Sequence, residues 1–209
     1  SIPRIDDLGL LKVGPDSASA DTGPSCYGLG GSEPTVTDAD LILGYLDPNY
    51  FLGGKMTLDR AKAEEAVRRR VAEPLGVDLT RAAWGIHHVV NENMANAARM
   101  HLVERGRDHR RYSLIAFGGA GPVHAYRVAE RLKIQQIICP PAAGVTSAFG
   151  FLVAPMAFDF VQTYLSTLRG IDFAHLNTIF AEMESRGRAL LRPAGVSDDA
   201  MSVTRSADM

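Results

Sequence analysis

Cysteine is scarce in this chain of 209 residues: Cys26 and Cys139 are the only two, far apart and in no C-x-x-C spacing. Neither a disulfide framework nor a zinc ribbon is expected from them, and a reducing cytoplasm is the compartment that suits such usage. An excess of positive charge is also missing, because 22 Lys and Arg face 24 Asp and Glu for a net charge of −2. No global basic field is present to hold nucleic acid or an anionic membrane. No apolar run approaches the roughly 20 residues that a membrane span requires, and no charged start followed by an apolar stretch opens the chain. What remains is 46% apolar, 22% charged and 7% aromatic residues, the balance of a globular protein with a real core.

The chain opens on Ser1, and Ile2 to Val13 alternates loosely like a strand, a turn and a strand. Met201 to Thr204 reads as the start of a further strand, with Met209 following before a turn or partner is supplied. An unpaired terminal strand is a liability, so the 209 residues are expected to be a piece of a longer polypeptide.

Gly14 to Gly54 is dense in Gly, Pro, Ser, Thr and Asp, the chemistry of successive turns, with Leu41 to Leu46 as its apolar block. Cys26, Tyr27, Val36, Leu41, Ile42, Leu43, Tyr45 and Phe51 give it more to bury than a linker carries. An ordered, packed loop is expected. Asp59 to Glu73 is rich in helix formers and predicts a helix ending at Pro74, with Gly76 just beyond. Its Arg68, Arg69 and Arg70 have Glu64, Glu65 and Glu73 as local partners and are expected on a solvated face, not in a phosphate patch.

Thr80 to Arg105 is the longest periodic segment, with Thr80 as N-cap and Gly106 as the stop. Trp84, His87 or His88, Asn91, Met94 or Ala95, Ala98 and His101 or Leu102 recur every three to four residues and predict a core stripe. Asn91, Asn93 and Asn96 are poor helix formers, and three so close together weaken a helix. They line a cleft or form an ordinary solvent face, and the sequence does not separate the two. His87 and His88 are adjacent and point about 100° apart, so they lack the i, i+4 spacing of a helical metal pair. No metal ligand is assigned from spacing.

Tyr112 to Phe117 reads as a buried strand running into Gly118, Gly119, Ala120, Gly121 and Pro122, before a helix from Val123 to about Leu132. A glycine turn between strand and helix brings backbone N–H groups and a helix N-terminus to one point with no Cβ in the way, so a phosphate or nucleotide can approach the main chain. The letters match neither G-x-G-x-x-G nor a Walker sequence, and a tight turn alone accounts for them equally. His124 is then a polar contact to a ligand or a plain surface residue. Ile134 to Cys139 is the next strand, followed by Pro140, Pro141 and a small-residue helix from Val145 to Val153. Two such units in succession predict a parallel α/β layer with ligands at the strands' carboxyl ends. After Ala154 the pattern changes, with a strand expected over Phe158 to Leu165 and an amphipathic helix over Asp172 to Leu191, ended by Pro193 and Gly195.

The runs ADTGPSCYGLGGSEPTVTDADLILGYLDPNYFLGG (Ala20 to Gly54), NENMANAARMHLVERGRDHRRYSLIAFGGAGPVHA (Asn91 to Ala125) and PPAAGVTSAFGFLVAP (Pro140 to Pro155) together resemble the hydantoinase A/5-oxoprolinase family of ATP-dependent enzymes. The likeness spans about residues 1 to 160, and the last fifty look like the start of that family's C-terminal domain. It implies an α/β fold that is part of an ATPase core similar to actin, sugar kinases and heat-shock ATPases, followed by the start of an α+β module. The expected organisation is a Gly/Pro-rich loop region over 1–58, a nucleotide-binding subdomain over 59–157 and a truncated C-terminal domain over 158–209. By the same resemblance Gly118, Gly119, Ala120, Gly121 and Pro122 hold the adenosine side of ATP. Mg²⁺ and its acidic ligands, with the phosphate loops, are expected upstream of this chain.

Members of the family phosphorylate a lactam or imide carbonyl oxygen with ATP so that water can open the ring, or use related activation to carboxylate ketones. The resemblance therefore implies a fragment of the ATP-binding subunit of a hydantoin- or 5-oxoproline-type amidohydrolase, inactive alone and partnered by a hydantoinase B-like subunit. The alternatives are a subunit of an ATP-dependent ketone carboxylase and a non-catalytic nucleotide-binding or interaction module. Thr22 stands where the family more often has Pro, and His101 and His109 where Ser or Thr and Pro are commoner. No catalytic residue is assigned. Asp21, Cys26, Asp38, Asn91 and His124 are candidates for lining a substrate or active site. For Asp21, Cys26 and Asp38 the competing expectation is structural, as turn residues and a buried inert thiol.

Overall fold

The computed structural model describes residues 1–207 and divides into two compact units, the first running from Ser1 to Phe149 and the second starting at Gly150. Asp208 and Met209, at the end of the expected third segment, lie outside the described residues.

In the first unit the alternating start of the chain forms a hairpin: β1 (Pro3–Ile5) pairs antiparallel with β2 (Leu11–Val13), with Pro3 opposite Val13. The turn-rich stretch after it is ordered. It contains a single 3₁₀ turn, Ser25–Tyr27, and the helix α1 (Val36–Ile42). Thr35 caps α1 in a reciprocal capping box with Asp38, which satisfies two backbone donors that the helix would otherwise leave open.

The next helix begins as α2 (Arg60–Val67) under an Asp59 cap, passes through a π turn over Arg68–Ala72 and ends as the single α turn α3 (Glu73–Leu75), closed by Gly76 at φ +63°. The helix therefore ends one residue past Pro74, just before the expected Gly76. The wider π turn accommodates a residue that has no N–H and whose ring would strike the preceding carbonyl in a regular α ladder. Arg68 bonds Glu65, Arg69 bonds the Ser32 carbonyl and Arg70 pairs with Glu33, all at exposed positions.

Helix α4 (Leu79–Val103) is capped by Asp78, not by the expected Thr80, because the Asp78 carboxylate accepts the Arg81 N–H at 2.9 Å. Beyond it Gly106 reverses the chain at φ +63°. The inner face of α4, with Ala82, Ala83 and Ile86, closes one core together with Val13, Cys26, Leu41, Leu58, Val67 and Val71. Each large aliphatic side chain in such a core contributes roughly 1.5–3 kcal/mol by leaving water. The predicted core stripe is buried only in part: His87, Asn91 and Ala95 are inside, while Trp84 and His101 are exposed.

β3 (Leu114–Ile115) and β4 (Ile137–Ile138) pair in parallel, with Leu114 opposite Ile137, and α5 (Gly121–Leu132) connects them. The expected buried strand over Tyr112 to Phe117 is shorter and half exposed. Leu114 packs on Ala95, Val128 and Leu132, whereas Ile115 and Phe117 face outward, because helices cover one face of this two-stranded sheet. Helix α6 (Thr146–Val153) follows β4 and crosses the boundary between the two units.

In the second unit α7 (Phe173–Leu191) is capped by Asp172, whose carboxylate accepts the N–H groups of Ala174 and His175. Neither of the further strands forms. Phe158 to Leu165 and Met201 to Thr204 have no ladder partner among the described residues, and Val161 and Leu165 are almost wholly exposed. An alternating run becomes a strand only where an edge is available to pair with.

Candidate functional site

Two features of the first unit carry chemistry. One is the glycine turn after β3. Gly118 sits at φ +90°, which suits glycine, and its N–H donates to the Ala143 carbonyl at 2.8 Å. That bond joins the turn to the loop that follows β4, so both loops at the carboxyl ends of the parallel strands are held together. A Cβ at Gly119 or Gly121 would meet nothing within 4 Å, so main chain is open to approach here. Gly121 opens α5 and Pro122 takes its second position, where a missing N–H is harmless.

The other feature is a polar cluster inside the fold, built from three helices. Asp40 comes from α1, His87 and Asn91 from α4, and His124 from the first turns of α5; all four are buried. His87 Nδ1 donates to Asp40 Oδ1 at 2.7 Å, since an ionised carboxylate only accepts. His124 Nε2 lies 3.4 Å from Asp40 Oδ2. The Asn91 amide nitrogen donates to the His87 carbonyl at 2.7 Å, which turns Asn91 Oδ1 toward His124 Nδ1 at 3.2 Å. The His87 ring is stacked between neighbours, with Tyr45 and His124 each at 4.9 Å between ring centroids. Burial opposes the charge on Asp40, but the His124 and His87 imidazoles beside the carboxylate prevail and hold its carboxyl below the usual carboxylate range.

Of the residues expected at a site, Asn91 and His124 meet in this cluster. Cys26 and Asp38 meet elsewhere, under the start of α1, where the Cys26 N–H donates to Asp38 Oδ1 at 2.7 Å. Asp38 also accepts the Thr35 N–H and hydroxyl, so its carboxylate is occupied by main chain and cap. Burial, with the Asp38 carboxylate second, pushes the Cys26 thiol far up, which leaves it unreactive. Asp21 is exposed. The three asparagines do not share a cleft: Asn91 is buried, Asn93 donates to the Val13 carbonyl and Asn96 accepts from Arg99 at the surface. Asp40 is not singled out in the sequence, and His87 stands there only as a residue of the core stripe, set aside as a metal ligand on spacing. The available signal for His87 was its place on the apolar stripe of α4, in line with Asn91 one turn on.

Known proteins place this geometry in context. A family pattern described as Hydantoinase/oxoprolinase matches residues 1–160. The chain is 42% identical over 201 residues to the caprolactamase subunit alpha of Pseudomonas jessenii, covering 95% of this chain and 29% of that protein. It is 39% identical over 221 residues to the acetophenone carboxylase gamma subunit of Aromatoleum aromaticum, covering 100% of this chain and 29% of that one. The crystal structure of the ATP-dependent caprolactamase from Pseudomonas jessenii superimposes with a TM-score of 0.67 at 39% identity, over 95% of this chain and 29% of its own. The chain thus spans less than a third of the length of these relatives.

Proposed function

The chain belongs to the hydantoinase/oxoprolinase family, and from that premise we propose that it is part of the ATP-binding subunit of an enzyme that opens a cyclic amide of the hydantoin or 5-oxoproline kind. The observation that carries the reading is the open glycine turn, Gly118 to Pro122, at the carboxyl end of a strand paired in parallel and at the start of α5. Backbone at such a crevice is where open α/β layers take nucleotides. In this reading the turn lies against the adenosine side of ATP, within a core of the actin, sugar-kinase and heat-shock ATPase kind. Mg²⁺ is held by acidic residues outside this chain.

In this reading ATP supplies the activation. Amide resonance makes a lactam carbonyl a poor electrophile, and transfer of the γ-phosphoryl group to the carbonyl oxygen, with ADP leaving, removes that resonance. Water then adds at the carbon, the ring C–N bond breaks to leave the free amine and an acyl phosphate, and a second water splits that into carboxylate and phosphate. The part of this chain is to position the nucleotide; the attack on the ring belongs to the assembled enzyme with a hydantoinase B-like partner. The relatives named subunit alpha and gamma support a multi-subunit assembly.

Likeness to the acetophenone carboxylase gamma subunit over the whole chain favours a second reading, in which the activated carbonyl belongs to a ketone and bicarbonate supplies the carbon. The experiment is ADP release and product analysis for the intact gene product, with its partner subunit, over hydantoins, 5-oxoproline and ketones. A ring-opened product formed with ADP supports the hydrolase. A carboxylated ketone supports the second reading, and silence across the panel leaves a non-catalytic nucleotide-binding module.

A further inference from the structure

The cluster between α1, α4 and α5 poses a hydrogen-bonding problem that its own atoms do not solve. Asn91 donates to the His87 carbonyl, so the side of its amide that faces His124 is the oxygen, an acceptor. His124 Nδ1 must therefore carry the proton. In a neutral imidazole the other nitrogen then has only a lone pair, and here that lone pair faces the Asp40 carboxylate across 3.4 Å. Two acceptors face each other in a buried site. On the other side, His87 Nε2 is buried with no hydrogen-bond partner. With both imidazoles neutral, the cluster also holds an unbalanced buried carboxylate, a costly arrangement.

A cation between Asp40 and His124 removes the clash of acceptors and balances the carboxylate, and we propose that Asp40, His87 and His124 bind one divalent metal ion of the zinc class. Each of the three brings a ligating atom within 4.8 Å of the other two. Two zinc ligands at ordinary bond lengths and a tetrahedral angle stand about 3.3–3.4 Å apart, which is the separation of His124 Nε2 and Asp40 Oδ2. Two imidazoles and a carboxylate are a donor set for zinc or a similar transition ion, not for the all-oxygen shells of calcium or magnesium. The outer shell is in place as well. His124 gives its second N–H to Asn91, the usual way a ligating histidine is oriented, and stacking against Tyr45 holds the His87 ring. On binding, the Asp40 to His87 contact opens from 2.7 Å as metal replaces the proton between them. Because His124 lies three residues into α5, the metal ties the start of the glycine-turn helix to α1 and α4. The site stands on this geometry alone and holds whether or not the glycine turn takes ATP.

The test uses the intact gene product stripped of metal, reloaded with Zn²⁺ or Co²⁺ and freed of excess ion. Metal content and the visible spectrum of the Co²⁺ form are read for wild type, His124→Gln and Asn91→Ala, with circular dichroism as the check on folding. The expected result is tetrahedral Co²⁺ bands in the wild type, one equivalent of metal lost in His124→Gln, and Zn²⁺ affinity weakened roughly 10- to 100-fold in Asn91→Ala. X-ray absorption at the zinc edge of the wild type, which needs no variant, is expected to show two imidazoles and an oxygen donor. No retained metal in the wild type, or the same content in folded His124→Gln, overturns the proposal and leaves a proton on His124 as the cation.

Discussion

Asp38 accepts the Cys26 backbone N–H at 2.7 Å, so the first turn of α1 fixes a 3₁₀ turn twelve residues before it. The same carboxylate accepts the Thr35 N–H and hydroxyl. Asp38→Ala therefore strands three buried donors and removes half of a capping box. The expected loss is about 2–4 kcal/mol in urea unfolding, with Asp38→Asn recovering part of it. A loss within experimental error would show that the loop is held by other means.

Burial makes Cys26 unreactive, while Cys139 is exposed at the end of β4. Alkylation of the native protein followed by peptide mapping is expected to label Cys139 and spare Cys26 until denaturant is added. Equal labelling of both would mean that the turn around Cys26 opens readily.

Gly31 is held by close approach, since a Cβ there would stand 2.2 Å from the Gly23 carbonyl oxygen. Gly31→Ala must push two backbone segments apart and is expected to cost about 1–3 kcal/mol. Gly9→Ser serves as the contrasting control for space, because a Cβ at Gly9 meets nothing within 4 Å, although its φ of +76° still disfavours a side chain. Thermal melts that rank Gly31→Ala below Gly9→Ser bear out the crowding.

Asp108 titrates at about 2, held down by the Arg110 side chain and then by the Arg110 N–H. A carboxyl whose folded value is depressed adds stability above the usual carboxylate range and loses it as pH falls through the folded value. The group is only half-buried at the surface, so the effect belongs in a titration curve and not in a large change of melting temperature. Carbon-detected NMR is expected to find the low midpoint, and Arg110→Gln to move it upward.

Much of the fold is legible in the sequence where periodicity is long or turn chemistry is explicit. The hairpin at the N-terminus, α4, α7, and the strand, glycine turn and helix after Tyr112 all follow from such signals. The failures have physical reasons. Phe158 to Leu165 alternates like a strand but has no ladder partner among the described residues, and alternation alone forms no ladder. The end of the helix at Pro74 and Gly76 is legible to within a residue, but the π turn over Arg68–Ala72 is not. At the buried cluster, Asn91 and His124 stand out in the sequence as site candidates, His87 only as a core-stripe residue, and Asp40 not at all. Asp40 and His87 are 47 positions apart, and their meeting depends on how α1 packs on α4, which no local spacing encodes.

Nucleotide affinity at the glycine turn tests the central claim most directly. In the intact gene product, equilibrium ATP binding is measured for wild type and Gly119→Val, a position where an added Cβ meets nothing within 4 Å. The account predicts an unchanged melting temperature without nucleotide and ATP affinity weakened at least about tenfold, or roughly 1.4 kcal/mol. Equal affinity in the two proteins would contradict it, placing the nucleotide elsewhere and reducing Gly118 to Pro122 to a tight turn.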